Sequence, residues 1–106
     1  MADIDATDLL PTERMRRGAL DGEITQIHRG SAHAEVGDTF GIEGTTFEVT
    51  AVEERRLGDL TDADARAEGA ADLAAYRERL HRVHEEFTWD DEAPVVRHRF
   101  EPVDGG

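Results

Sequence analysis

The chain contains no cysteine and no lysine: its twelve positive side chains are all arginine, set against 25 aspartates and glutamates in 106 residues. Without cysteine there are no disulfides, no thiolate zinc sites and no cysteine nucleophiles, so any chemistry must come from histidine, carboxylates or hydroxyls. No apolar run approaches the length that spans a bilayer, and the start Met1-Ala2-Asp3-Ile4-Asp5 is acidic with no apolar segment. A cytoplasmic location and no membrane partner are therefore expected. Internal repeats, linkers, a phosphate-binding loop, a dinucleotide-binding fingerprint and a zinc knuckle are all missing.

What is present is a strongly acidic, single-domain chain. The formal charge is −13, and the acids are spread evenly over both halves, which marks a solvated surface rather than a tail. Abundant Asp, Glu, Ala and Gly with no lysine resembles the composition of proteins from extreme halophiles. The mean hydropathy of −0.61 would suit disorder, but clear alternating and heptad-like apolar patterns require a core. A chain of this length builds one modest core.

Pro11 favours a short helix over Thr12–Leu20, with Gly22 as its stop. Glu23–Arg29 reads as a strand closed by Gly30-Ser31. Over Thr39–Glu54, Phe40 and Ile42 alternate before Glu43-Gly44, and Phe47, Val49 and Ala51 alternate after it, which predicts a hairpin. Thr61 with Asp64 three residues on suits a capped helix start ended by Gly69. Leu73, Tyr76, Leu80, Val83 and Phe87 recur at spacings of three and four, predicting a helix over Asp72–Phe87 with one core-packing face. Two heptads are too few to argue for a coiled coil, so a monomer is expected. Pro94–Phe100 reads as a closing strand. Residues 1–8 and 104–106 are expected to be loose ends of a domain over 9–103. Helix, strand, hairpin, two helices and a last strand give an α+β class.

Three phrases carry a family resemblance: Gly22-Glu23-Ile24-Thr25-Gln26-Ile27-His28-Arg29-Gly30-Ser31, Val36-Gly37-Asp38-Thr39-Phe40, and Leu57-Gly58-Asp59-Leu60-Thr61-Asp62-Ala63-Asp64-Ala65-Arg66-Ala67-Glu68-Gly69. Together they resemble the ASCH domain, a small PUA-like β-barrel with flanking helices that is associated with RNA. The family's first motif is glycine, any residue, lysine, four residues, arginine. Gly22 and Arg29 match it, whereas Ile24 stands in the lysine position. Some ASCH proteins look like amidohydrolases acting on N4-acetylcytidine through that lysine, a threonine and a glutamate. The threonine position falls near Ile27, and of the three groups Glu68 alone remains.

An isoleucine contributes packing and no proton transfer, so the resemblance implies binding rather than hydrolysis. The expected function is RNA or modified-nucleoside binding in a pocket at the barrel mouth, formed by Gly22, Thr25, Arg29 and Ser31 with Glu68 facing it. Arg29 can grip phosphate bidentately; its alternative role is an ion pair with Asp38, Asp59 or Glu68. The competing reading is a hydrolase, amidohydrolase or ribonuclease, using Glu68 or His28, with Thr25 or Ser31 as hydroxyl nucleophile and His28 or His33 as base. A third is a protein-interaction module using the helix stripe. Arginine-rich windows at Arg14–His33, Arg77–His84 and Arg97–Arg99 could converge on one groove, with Trp89, Phe100 or Tyr76 available for stacking, but on the helix Arg77, Arg79 and Arg82 are expected instead to pair with Glu78 and Glu86 at its surface. His81 and His84 lie off the core stripe and read as solvated. No metal and no cofactor are expected, and nothing points to DNA.

Overall fold

The structure, a computed structural model, describes residues 3–83 and 89–103. Its frame is a sheet that grows from one hairpin. Strands β2 (Thr39–Ile42) and β3 (Thr45–Arg56) meet at Glu43-Gly44, whose φ angles of 47° and 86° are the left-handed pair that a two-residue connection between right-twisted strands demands. The closing strand β4 (Pro94–Pro102) inserts between β3 and β1 (Gln26–Arg29), giving the antiparallel order β1-β4-β3-β2. The result is a curled, four-stranded half-barrel with helices beside it.

One detail of the hairpin departs from the simple alternation. Val49 faces Phe100 and Ala51 faces Arg99, so Thr50 is an extra residue in β3 and the register shifts there. The bulge reverses the inward phase. Val52, not Ala51, then packs against the main core, which corrects the expected Phe47, Val49, Ala51 series.

Helix α1 (Ala6–Leu9) was not legible in the sequence. From Asp3 onward, the segment expected to be loose is docked: the Ile4 amide donates to the Thr39 carbonyl at 2.7 Å, the Thr39 hydroxyl bonds Asp3, and Ala6 and Leu9 enter the core. Helix α2 (Glu13–Leu20) starts on Thr12, whose side chain accepts from the Met15 amide, and ends where Gly22 takes a φ of 80°. Leu57–Asp59 forms one 3₁₀ turn. Helix α3 (Asp62–Ala67) has the expected cap: Thr61 and Asp64 exchange side-chain and backbone hydrogen bonds. Thr61→Ala is expected to destabilise the protein by about 1 kcal/mol, measured as a shift in the urea midpoint at constant slope. Helix α4 (Leu73–Val83) covers most of the second helix; His84, Glu85, Glu86 and Phe87, like 104–106, lie outside the described residues. Among the described residues no helix is long and apolar enough to cross a membrane.

Apolar side chains form two clusters, one on each side of the sheet. On one side Phe40 stacks on Phe47 at a centroid distance of 5.3 Å and Phe100 meets both edge-on at 5.4 and 6.0 Å, with Leu9, Leu10, Ile24, Ile27 and Val49 around them. On the other, Leu60, Ala65, Ala70 and Tyr76 pack with Leu73, Leu80 and Val95. The α4 stripe therefore packs within its own chain over Leu73, Tyr76 and Leu80.

Candidate functional site

Strand β1 separates two environments, because successive side chains point to opposite faces. Ile27 and Arg29 face the aromatic core side. Gln26 and His28 face the helices. Where α3 ends, Glu68 comes alongside β1: the Thr25 amide donates to the Ala67 carbonyl at 2.8 Å, and Ile24 and Glu68 form a bridge. The outer edge of a sheet leaves backbone donors without partners, and the Glu68 carboxylate supplies one. Its Oε1 accepts from the His28 amide at 3.1 Å, and its Oε2 lies 2.6 Å from His28 Nδ1.

Two further donors converge on the same carboxylate. Tyr76 donates its hydroxyl to Oε1 at 3.1 Å, and Gln26 Nε2 reaches Oε2 at 3.3 Å. Burial, followed by the charge of Glu68, pushes the Tyr76 hydroxyl well above its usual range, so it stays a donor. Glu68 is 2% exposed. It joins β1, α3 and α4, and both of its carboxylate oxygens are taken up by these donors.

A second buried acid stands beside it. Asp64 accepts from Gln26 at 3.1 Å, from Arg55 at 3.0 Å and from Arg97 at 3.2 Å, as well as capping α3 through the Thr61 amide. Burial opposes ionisation, but hydrogen bonds from Gln26, Thr61 and Arg55 outweigh it and hold the carboxyl well below the usual 3.8. A depressed carboxyl stabilises the fold above its unfolded value, and that stability is lost as pH falls below 3.8 toward the folded value. Acid unfolding followed by circular dichroism should therefore shift to higher pH in Asp64→Ala relative to other single-carboxylate variants, because part of the acid-sensitive network is already lost.

Two clefts open on this framework. The smaller, about 440 Å³, lies between α2 and α4; Arg14, Arg17 and Arg79 line it with the acids Asp21, Glu23 and Glu68, around an apolar floor of Met15, Gly18 and Ile24. Its floor is fitted closely: a Cβ on Gly18 would fall 2.6 Å from Ile24 Cδ1, and one on Gly69 3.2 Å from Ile24 Cγ1. Arg79 spans the end of α3, donating to the Glu68 carbonyl at 3.3 Å and the Gly69 carbonyl at 3.2 Å. Burial, then the neighbouring charge of Arg14, lowers the pKa of Arg79. Arginines from two separate helices thus crowd together in a protein of net charge −13.

The larger cleft, about 730 Å³, is lined by Gly30, Ser31 and Ala32 together with Val52, Arg56 and Val96. Arginines at its rim are already matched with acids: Arg55 with Asp64 and Arg56 with Glu92 at 2.9 Å.

The expected pocket is thereby divided. Glu68 and His28 come together, yet Arg29 points to the opposite face of β1, so Glu68 does not share a pocket with it. Arg29 is half-buried beside Val96 and forms no ion pair with Asp38, Asp59 or Glu68 among the described residues. Ser31 lines the larger cleft, whereas Gly22 sits between Asp21 and Glu23 at the rim of the smaller. Thr25 is exposed and held through its backbone. Neither its hydroxyl nor that of Ser31 bonds a histidine among the described residues, and His28 is committed to Glu68.

The stacking candidates change as well. Phe100 and Tyr76 are 4% and 6% exposed and belong to the two cores, while Arg77 lies over the Trp89 ring at 4.6 Å. Arg97 is taken up by Glu53 and Asp64. The first two arginine windows do converge, on the α2–α4 cleft; the third does not. Arg79, expected to pair at the surface of its own helix, instead lines the cleft; the signal that points there is its position three residues after buried Tyr76, on the flank of the core stripe.

Neither a family model nor a curated protein matches the sequence. Solved structures do match in fold. An ASCH domain from Lactobacillus crispatus JV V101 superposes with a TM-score of 0.66 at 17% identity, over 95% of this chain and 78% of that one. A DUF984-family protein from Enterococcus faecalis V583 gives 0.64 at 16% identity, over 96% and 75%. A protein from Pyrococcus furiosus gives 0.58 at 14% identity, over 98% and 99%. With the half-barrel, its helices and nearly the whole chain length in common, this protein has the fold of an ASCH domain.

Proposed function

We propose that this domain binds RNA through the α2–α4 cleft, with backbone phosphate held by Arg14, Arg17 and Arg79. The observation that carries the reading is the convergence of these guanidinium groups on one cleft of an otherwise acidic protein. Asp21, Glu23 and Glu68 also line the cleft and Arg17 pairs with Glu13 at 3.8 Å across an exposed surface, so the reading rests on Arg14 and Arg79 in particular, whose planar forks suit phosphate. The floor of Met15, Gly18 and Ile24 is apolar, which suits the face of an unpaired base beside the phosphate. RNA association of the ASCH fold enters this reading as an implication of the resemblance.

Binding is favoured over hydrolysis by two features. Ile24 occupies the position of the family's lysine and is wedged between Gly18 and Gly69, so the cleft holds an apolar side chain where a general base would stand. Glu68, the one acid retained, is enclosed by its four donors. Fluorescence anisotropy with a labelled single-stranded RNA tests the proposal. Saturable binding that weakens with salt is the expected result; no binding at low salt would remove the reading, and release of acetate from N4-acetylcytidine would replace it with the hydrolase.

A further inference from the structure

The loop that leaves β1 supplies one wall of the larger cleft through Gly30, Ser31 and Ala32. The backbone amide of His33 ties it to the sheet, donating to His98 Nε2 at 3.0 Å. His98 lies in mid-β4, opposite Ile27 on one side and Val52 on the other, and is 0% exposed. A ring nitrogen that accepts from an amide must carry its lone pair, so the ring is neutral with its proton on Nδ1. A proton added at Nε2 would set N–H against N–H. The contact and the charged ring are mutually exclusive.

The neighbours of His98 also oppose its protonation. From β1 come Arg29 and His28, and from the loop His33, whose ring stacks at a centroid distance of 6.3 Å. On β3 the residue opposite is Val52; Glu54 shares that face one step along, opposite Val96. Arg97 and Arg99 of β4 itself point to the other face. Burial first, then the charges of His33, Arg29 and His28, hold the imidazole below its ordinary 6.5, with the Ile27 backbone offsetting part of the shift.

We propose that the His33–His98 contact is an acid-released latch that holds the Gly30–His33 loop over the larger cleft at neutral pH and frees it on acidification. A histidine kept neutral in the closed form adds nothing to the pH dependence well above 6.5. As pH falls below 6.5 the open form takes up the proton first, so the closed form loses stability progressively until the pH passes the lowered value of the closed state. Opening a short loop disrupts far less packing than unfolding the sheet, so the loop responds before the fold does.

An NMR titration of the intact chain from pH 8 to pH 4 tests this. Ring nitrogen shifts should show His98 neutral with its proton on Nδ1 at pH 8 and a titration midpoint below 6.5. Through that midpoint the protection factor of the His33 amide, corrected for the pH dependence of intrinsic exchange, should fall by roughly tenfold or more, while those of Val49 and Phe100 hold. His98→Gln supplies a carbonyl that accepts without titrating, and should keep the loop protected at all pH values. His33→Pro removes the donor and should move the Ser31 and Ala32 amide resonances already at pH 8. Loop amides that ignore the titration of His98, or that lose protection only together with Val49 and Phe100, would overturn the latch. So would a midpoint above 6.5, or an unchanged loop in His33→Pro.

Discussion

Glu68→Ala is expected to destabilise the protein by about 3–5 kcal/mol, the range for removing one partner of a buried charged network. The carboxylate takes four hydrogen bonds, from Gln26, from the amide and ring of His28, and from Tyr76. Alanine would leave the His28 amide, the His28 ring and the Tyr76 hydroxyl buried without this acceptor, while Gln26 keeps Asp64. Each such donor costs free energy through lost hydration that the fold does not return. Glu68→Gln keeps one carbonyl oxygen and brings an amide that clashes with a donor, so its loss should be smaller. Urea unfolding measures both. A loss below about 1 kcal/mol for the alanine variant would mean that these donors find other partners and that Glu68 does not fasten β1 to the helices.

The second large effect concerns binding. Arg14→Ala with Arg79→Ala should weaken single-stranded RNA binding by tenfold or more at low salt. It should also flatten the slope of log affinity against log salt by about 1.4, the counterion release of two phosphate contacts on a single strand. Arg29→Ala serves as the contrast, because its side chain lies on the other face of β1; its affinity should stay within about twofold, too little to represent a direct phosphate contact. Arg79 also holds the Glu68 and Gly69 carbonyls, so the Arg14 single variant separates lost binding from lost helix docking. Unchanged affinity in Arg14→Ala would contradict the assignment of the cleft.

Much of this architecture is legible in the sequence where local rules act alone. The Thr61–Asp64 cap, the Glu43-Gly44 turn, the Gly22 stop and the closing strand from Pro94 follow from turn chemistry and periodicity, and the structure has each of them. Helix α1 escapes such reading because a four-residue helix has no period; its place is set by contacts with Thr39 that lie far away in the chain. The bulge at Thr50 escapes too, since Val49-Thr50-Ala51-Val52 fits either phase of a strand until a partner fixes the register.

The site was harder to read for the same reason. Strand alternation alone separates His28 from Arg29, and that argument is available from sequence once β1 is assigned. Which acid meets which face is not, because Glu68 reaches His28 across 40 residues. The expected Glu68 pocket thus became a structural fastening, while Arg79, expected to pair along its own helix, lines a cleft with Arg14 and Arg17. Charge counting identified the windows around Arg14 and Arg79; helix packing brought them together.

The most direct test of the central claim is an amide-shift NMR titration of the folded protein with a short single-stranded RNA, at low salt and again in molar KCl. The account predicts saturable shifts centred on Arg14, Arg17, Gly18, Gly69 and Arg79, weakened but not relocated by salt. Shifts confined to Gly30, Ser31, Ala32 and Val96, or none at either salt concentration, would contradict it.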